Sequence, residues 1–306
     1  MRRSSSSEKG ASLISVLVIV MLMSLAALAA TDSLARTVDL SRTSGFRADT
    51  FWTARGASYA AESYLTDIIG KTGRYLTSDA ELWSKDIVLP VKRGIVSASV
   101  REQSNCFNLS SLVDASEEAA LKDGRFDTYE TLLAAAGINQ TDADSLARKL
   151  GEWIMPNSET VRTLNNVGEL ASVPGYSQDV LARIGGLVCV LGVDEQPALN
   201  LNTMEVWQAP LLIGLFSPEL SESEAQYLIE DRPRGGWQDL SLFQEMDSVQ
   251  RIAPAARNDS AISLESTYFR VELSVQTGSG LSIYDVLYGP DEETGSVLLS
   301  MAKRDF

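Results

Sequence analysis

The chain has 306 residues and not one histidine. That removes Ser-His-Asp and Cys-His nucleophile arrangements and the usual zinc sites, although carboxylate chemistry stays open. No other catalytic constellation stands out. Positive charge is also scarce: 26 Lys and Arg stand against 41 Asp and Glu, a net charge of −15. A chain this acidic repels phosphate backbones, so no nucleic-acid partner is expected. Only two cysteines occur, Cys106 and Cys189. An oxidising compartment would allow them to pair; two separate buried thiols is the competing reading. Strong helix breakers are few between residues 32 and 69, where Gly45 and Gly56 are the soft spots. What the chain does have is 44% hydrophobic residues, enough to bury a core in two domains or in one domain with a large insertion.

The apolar residues concentrate first at the N-terminus. Residues 11–31 run without a charge, behind a short leader that carries Arg2, Arg3 and Lys9 against Glu8. At 1.5 Å per residue such a helix spans about 30 Å, the hydrocarbon thickness of a bilayer. Basic residues before it and Asp32 after it keep the N-terminus cytoplasmic and send the body across the membrane. Three readings fit. One is a removed secretory signal with Ala27-Leu28-Ala29 as its cleavage motif. A second is a twin-arginine signal on Arg2-Arg3. The third is a prepilin-type leader, residues 1–10, cut between Gly10 and Ala11 so that the apolar helix stays on the protein. Ala57, Ala61, Leu65 and Ile68 decide for the third, since they extend one helical face well beyond the apolar run. A cleaved signal predicts no such continuity.

The body reads as helix, strands, a helical block, then strands again. Residues 87–109 are rich in β-branched side chains, with Pro90 and Gly94 as punctuation. Residues 114–258 turn helical, with N-cap patterns at Asp114…Glu117 and Ser221…Glu224. Residues 264–303 return to three strands. The expected fold class is α+β: a pilin-like N-terminal helix spine packed on a small antiparallel sheet, with a large all-helical domain inserted between strands. The expected divisions are a leader 1–10, a transmembrane helix 11–31 and a periplasmic spine 32–70. A head from 71–113 and 259–306 and an inserted helical domain 114–258 complete them. Within the insert, Asn165-Asn166…Gly175 and Leu199-Asn200-Leu201-Asn202-Thr203 with the helices after it resemble helix-hairpin-helix modules. Those modules hold phosphate on backbone N–H groups. Glu219, Glu222, Glu224, Glu230 and Asp231 face only Arg232 and Arg234 here, so packing is the better reading. Asp123…Asp127 and Asp291-Glu292-Glu293 read as solvated turns.

Taken in order, several motifs resemble the K-type minor pseudopilins of bacterial type II secretion systems. They are the leader and apolar helix, Trp52, Tyr59-Ala60-Ala61-Glu62-Ser63-Tyr64, Cys106-Phe107-Asn108-Leu109-Ser110-Ser111-Leu112, Leu199-Asn200-Leu201-Asn202-Thr203 and Glu265-Ser266-Thr267-Tyr268-Phe269. The resemblance implies cleavage after Gly10 by a prepilin peptidase and methylation of Ala11. It implies a non-catalytic place at the tip of a periplasmic pseudopilus, anchored in inner-membrane lipid beside I-type and J-type minor pseudopilins and the other pseudopilins. Most pilins carry Glu at the fifth mature position, paired with the N-terminal amine of the subunit ahead; here that position is Ser15. A tip subunit has no subunit ahead, and an unpaired carboxylate at membrane depth costs about 2.5–3.5 kcal/mol. Ser15 therefore marks the tip. The family also suggests calcium, held by an acidic segment. The corresponding stretch is short here and offers only Glu152, Asn157 and Glu159, whereas calcium takes six to eight oxygens. No other cofactor is implied. The rival function is a soluble periplasmic binding protein released by cleavage near Ala29.

Overall fold

A computed structural model describes residues 8–92, 94–114, 120–157, 160–252, 259–278, 280–291, 293 and 295–304. It begins with one helix, α1 (Glu8–Thr72). No proline occurs before Pro90, so nothing breaks the backbone ladder over its length of about 95 Å. Its C-terminal half presents a stripe of small residues. Thr50, Ala54, Ala57 and Ser58 are buried there, with Leu65 below them. Ala61 and Ile68 pack half-buried on the same core.

That stripe lies on a five-stranded antiparallel sheet in the order β1 (Ile87–Val91), β2 (Gly94–Glu102), β3 (Phe269–Thr277), β4 (Gly280–Asp291) and β5 (Gly295–Arg304). Small side chains let the helix backbone come close. Tyr288 Oη donates to the Ser58 carbonyl (2.7 Å) and Tyr284 Oη to Thr50 Oγ1 (3.2 Å). Alternation puts Val96, Ala98 and Val100 with Val271, Leu273 and Val275 under the helix. The other face of the sheet is open. Gly94 has to be glycine, because a Cβ there would lie 1.8 Å from the Gln276 carbonyl oxygen across the ladder. Pro90 sits on the edge strand β1, where its missing N–H costs no ladder bond.

Between β2 and β3 the chain builds a second unit with its own core. Its helices are α3 (Asp123–Ala135), α4 (Gln140–Ile154), α5 (Gln178–Ile184), α6 (Ala209–Phe216), α7 (Glu222–Glu230), α8 (Leu240–Gln244) and α9 (Asp247–Gln250); α2 (Glu81–Ser84) precedes the sheet. Ser221 and Glu224 form the expected capping box on α7. Other expectations shift. Asp114 lies in a two-residue strand paired with Ala120, and Glu117 is outside the described residues, so the helix expected there starts only at Asp123. Asp123–Asp127 is accordingly the first turn of α3 rather than a solvated turn. Sheet strand β2 stops at Glu102. Phe107–Asn108 pairs instead with Val188–Cys189, and Leu199–Asn200 with Ile262–Ser263. Phe107, Leu109, Leu112 and Ile262 all belong to the helical core. The insert thus takes in about ten residues before 114 and several after 258. Alternation ends at Glu102 because the chain leaves the sheet there, and β-branched content alone does not reveal that.

Candidate functional site

Two places carry the features a function needs: the free end of α1 and the junction between the two units. Along α1, Leu13, Ile14, Leu17 and Met23 are all more than 60% exposed. The helix is long and apolar enough to cross a membrane, and the chain itself covers none of its most apolar stretch. Ser15 lies on this exposed part. Gly10 and Ala11 lie within the α1 backbone, their side chains outside the described residues.

The junction is built from buried amides and hydroxyls. Asn105 Nδ2 donates to the Asn200 carbonyl (3.1 Å), and the Asn200 N–H donates back to Asn105 Oδ1 (2.7 Å). Asn200 Nδ2 then donates to Ser266 Oγ (2.9 Å). Asn202 engages both backbone groups of one residue: Trp237 N–H donates to its Oδ1 (2.7 Å) and its Nδ2 donates to the Trp237 carbonyl (3.0 Å). Gly236 allows this approach, with φ +81° and the Asn202 side chain 2.7 Å from where a Cβ would stand. Asn108 holds the following loop through Nδ2 bonds to the Val193 and Glu195 carbonyls, both 2.8 Å. The two Asn motifs are therefore fasteners: every one of these amides is buried and bonded.

Glu102 closes the network from the sheet side. Its carboxylate accepts from Ser104 N–H (2.9 Å), from Thr203 Oγ1 (3.2 Å) and from Ser266 Oγ. Burial raises its pKa above the ordinary carboxylate value, against the pull of those donors. The segment after α1 is clipped to the same place. Arg74 donates to the carbonyls of Ser266 (3.3 Å) and Thr267 (3.4 Å), and also to that of Gly295. Arg232 donates to the carbonyls of Leu201 (3.0 Å) and Met204 (2.9 Å) and to Ser78 Oγ (3.1 Å). Burial lowers the pKa of both guanidiniums. Cys106 and Cys189 are joined in a disulfide, Cα–Cα 5.8 Å, which packs against Tyr268 and Leu287 of the sheet side.

The acidic segment lies only partly within the described residues. Glu152 sits on α4 beside Arg148 (3.6 Å), Asn157 is in a bridge with Thr160, and Glu159 lies outside the described residues. Among the described residues no three His, Cys, Asp or Glu side chains come together to hold a metal. Of the helix-hairpin-helix candidates, the turn Val167–Ser172 already has an anion at its start. The Asn165 N–H and Nδ2 both donate to Glu169, each at 3.1 Å.

Residues 105–193 and 199–265, together just over half of the chain, match sequence profiles described as Type II secretion system (T2SS), protein K. The chain belongs to that family. The matched stretches take in the buried core residues of the helical unit, which run from Phe107 to Ile262. The protein K of Pectobacterium carotovorum subsp. carotovorum is 26% identical over 300 residues, covering 89% of this chain and 90% of that protein. That of Aeromonas hydrophila is 23% identical, covering 86% and 88%. A chain in the crystal structure of the GspK-GspI-GspJ complex from the enterotoxigenic Escherichia coli type 2 secretion system superposes with a TM-score of 0.70 at 18% identity. It covers 87% of this chain and 99% of its own. The protein K fold is thus present nearly end to end. Glu102, Arg74, Arg232 and Tyr75, whose Oη donates to the Gly235 (2.9 Å) and Trp237 (2.8 Å) carbonyls, are the junction residues that sequence reasoning missed. One signal was available: Val96, Ala98, Val100 and Glu102 share the inward side of β2, so the acid is placed to be buried.

Proposed function

We propose that this protein K works as a minor pseudopilin at the tip of a type II pseudopilus. There it primes assembly and supports export of folded proteins from the periplasm. The continuity of α1 carries this reading. One unbroken helix is uncovered and apolar at its start and packed on the sheet at its end. Cleavage near Ala29 would cut it in the middle and discard the anchor. Residues 11–31 cross the inner membrane with the N-terminus cytoplasmic, and the sheet and helical unit stand in the periplasm. Gly10 and Ala11 form the prepilin peptidase junction, and Ser15 suits a subunit with none ahead of it. The complex named for the structural neighbour supports I-type and J-type pseudopilins as partners. The role is assembly, not catalysis.

Replacing Gly10 with Leu should leave the leader uncut and abolish secretion. Mass spectrometry of the N-terminus checks this: the wild type should begin at N-methylated Ala11, and the variant at residue 1. A mature chain that starts near Thr31 would overturn the assignment.

A further inference from the structure

The charge of the chain is unevenly placed. Residues 103–268, which hold the helical unit, carry 25 Asp and Glu against 10 Lys and Arg, whereas the spine and sheet outside them carry 16 of each. The whole excess of −15 therefore sits on one unit. Within it, α3 and α4 run antiparallel, with Gly151 beside Phe126 and Gln140 bonded to Glu130. Between them lies an open groove of about 360 Å³. Leu121, Phe126, Ala147 and Met155 give it an apolar floor that is part of the helical core. Its rim is acidic: Asp127 and Glu130 come from α3, Asp144 and Glu152 from α4. Among the described residues that line it the one cation is Arg148, 3.6 Å from Glu152. Nearby cations turn elsewhere. Lys122 donates to the Asp194 carbonyl (3.1 Å), Arg125 lines a separate small cavity, and the Lys149 side chain lies against Gly175. Asp127 and Asp144 are exposed, and among the described residues neither has an ion-pair partner.

We infer that this groove seats a basic amphipathic helix of a partner protein. Apolar side chains on one face of that helix enter the floor, and Lys or Arg on its flanks meet the acids of both walls. The α4 wall from Asp144 to Met155 is about 16 Å long at 1.5 Å per residue, which matches about three turns of the guest. Charge complementarity carries the choice, because the unmatched acids stand on both sides of an apolar floor rather than around one point. A single metal ion suits that spread less: among the described residues no three acids come together to hold one. Lipid and nucleic-acid phosphates are repelled by the same rim. The inference needs only the folded chain, not its place in an assembly.

The test uses the full chain in maltoside micelles, with empty micelles as background, and the dye-labelled, end-blocked peptide Lys-Leu-Ala-Lys-Leu-Leu-Lys-Lys-Leu-Ala-Lys, followed by anisotropy. The peptide should bind and tighten as salt falls. Its Glu-for-Lys counterpart should not bind. A reordered peptide of the same composition, its leucines spread around the helix, should bind about tenfold more weakly. Asp127→Asn with Asp144→Asn should weaken binding about tenfold and leave the melting temperature unchanged or raised. Glu245→Gln with Asp247→Asn removes the same charge from exposed sites at α9 and should leave binding as it is. If the groove variant does not fold, Glu152→Gln carries the test with a loss of about threefold. No binding by the wild type, undiminished binding in the folded groove variant, equal weakening by the two double variants, equal binding of the reordered peptide, or displacement of the peptide by calcium at constant ionic strength would overturn the proposal.

Discussion

Glu102 occupies a position where an apolar residue would continue the alternation of β2. Burial raises its pKa, so the protonated form is favoured in the folded state more than in the unfolded one. Its contribution is fully present below the unfolded carboxyl pKa and is lost as pH rises through the higher folded value. Glu102→Gln should therefore flatten that part of the stability–pH curve in urea titrations from pH 4 to 7. The amide keeps one acceptor for Ser104 N–H and turns its NH₂ toward the hydroxyls of Thr203 and Ser266. Asn202→Ala tests the other fastener. It leaves the Trp237 N–H without its partner while the Trp237 carbonyl keeps the Tyr75 hydroxyl (2.8 Å), an expected loss of about 1–3 kcal/mol for the orphaned N–H. A shift in the urea midpoint at constant slope would register it. The Asn motifs were visible in the sequence as motifs but not as fasteners, because their partners lie far along the chain: Asn105 to Asn200, Asn202 to Trp237. Periodicity reports a residue's own element and says nothing about a bond across such a distance.

At the scale of elements, α1 and the three C-terminal strands could be read from period and punctuation. Both signals are local: 3.6-residue spacing on the spine, and alternation between glycine turns on β3 to β5. The insert was harder, since its helices are short and its two parallel ladders are only two residues long. Its boundary slipped for the same reason: Phe107 and Asn108 look like strand and are strand, but in a different sheet. The capping box on α7 makes a pH prediction. The Glu224 pKa is lowered to about 2, first by the Ser221 hydroxyl, then by the Ser221 backbone N–H and Arg251. A depressed carboxyl stabilises above the unfolded value and loses that contribution as pH falls toward about 2. Glu224→Gln should thus remove a small acid-sensitive step, visible in circular dichroism between pH 4.5 and 2. The disulfide acts on a longer element, closing a loop of 83 residues. Cys106→Ser with Cys189→Ser should cost about 4.5 kcal/mol by loop-closure entropy, read from denaturant unfolding of the helical unit.

For the molecule as a whole, the exit and re-entry of the insert are neighbours. Glu102 and Phe269 face each other across the ladder between β2 and β3. An Asn-Gly turn in place of residues 103–268 should leave a five-stranded sheet that still folds on the spine, shown by strand and helix signals in circular dichroism and dispersed amide resonances. Collapse of the sheet in that variant would mean that the clips from Arg74 and Tyr75 are needed for its folding. The same adjacency has a consequence in time. Made N-terminus first, β2 emerges with no partner on its inner edge, since β3 follows only after more than half of the chain has been added. The helical unit, whose ladders and disulfide are closed among its own residues, is complete before the sheet can be. During that interval the greasy underside of β1 and β2 has only the spine for cover. The newborn protein is for a while a finished bundle tethered to half a sheet.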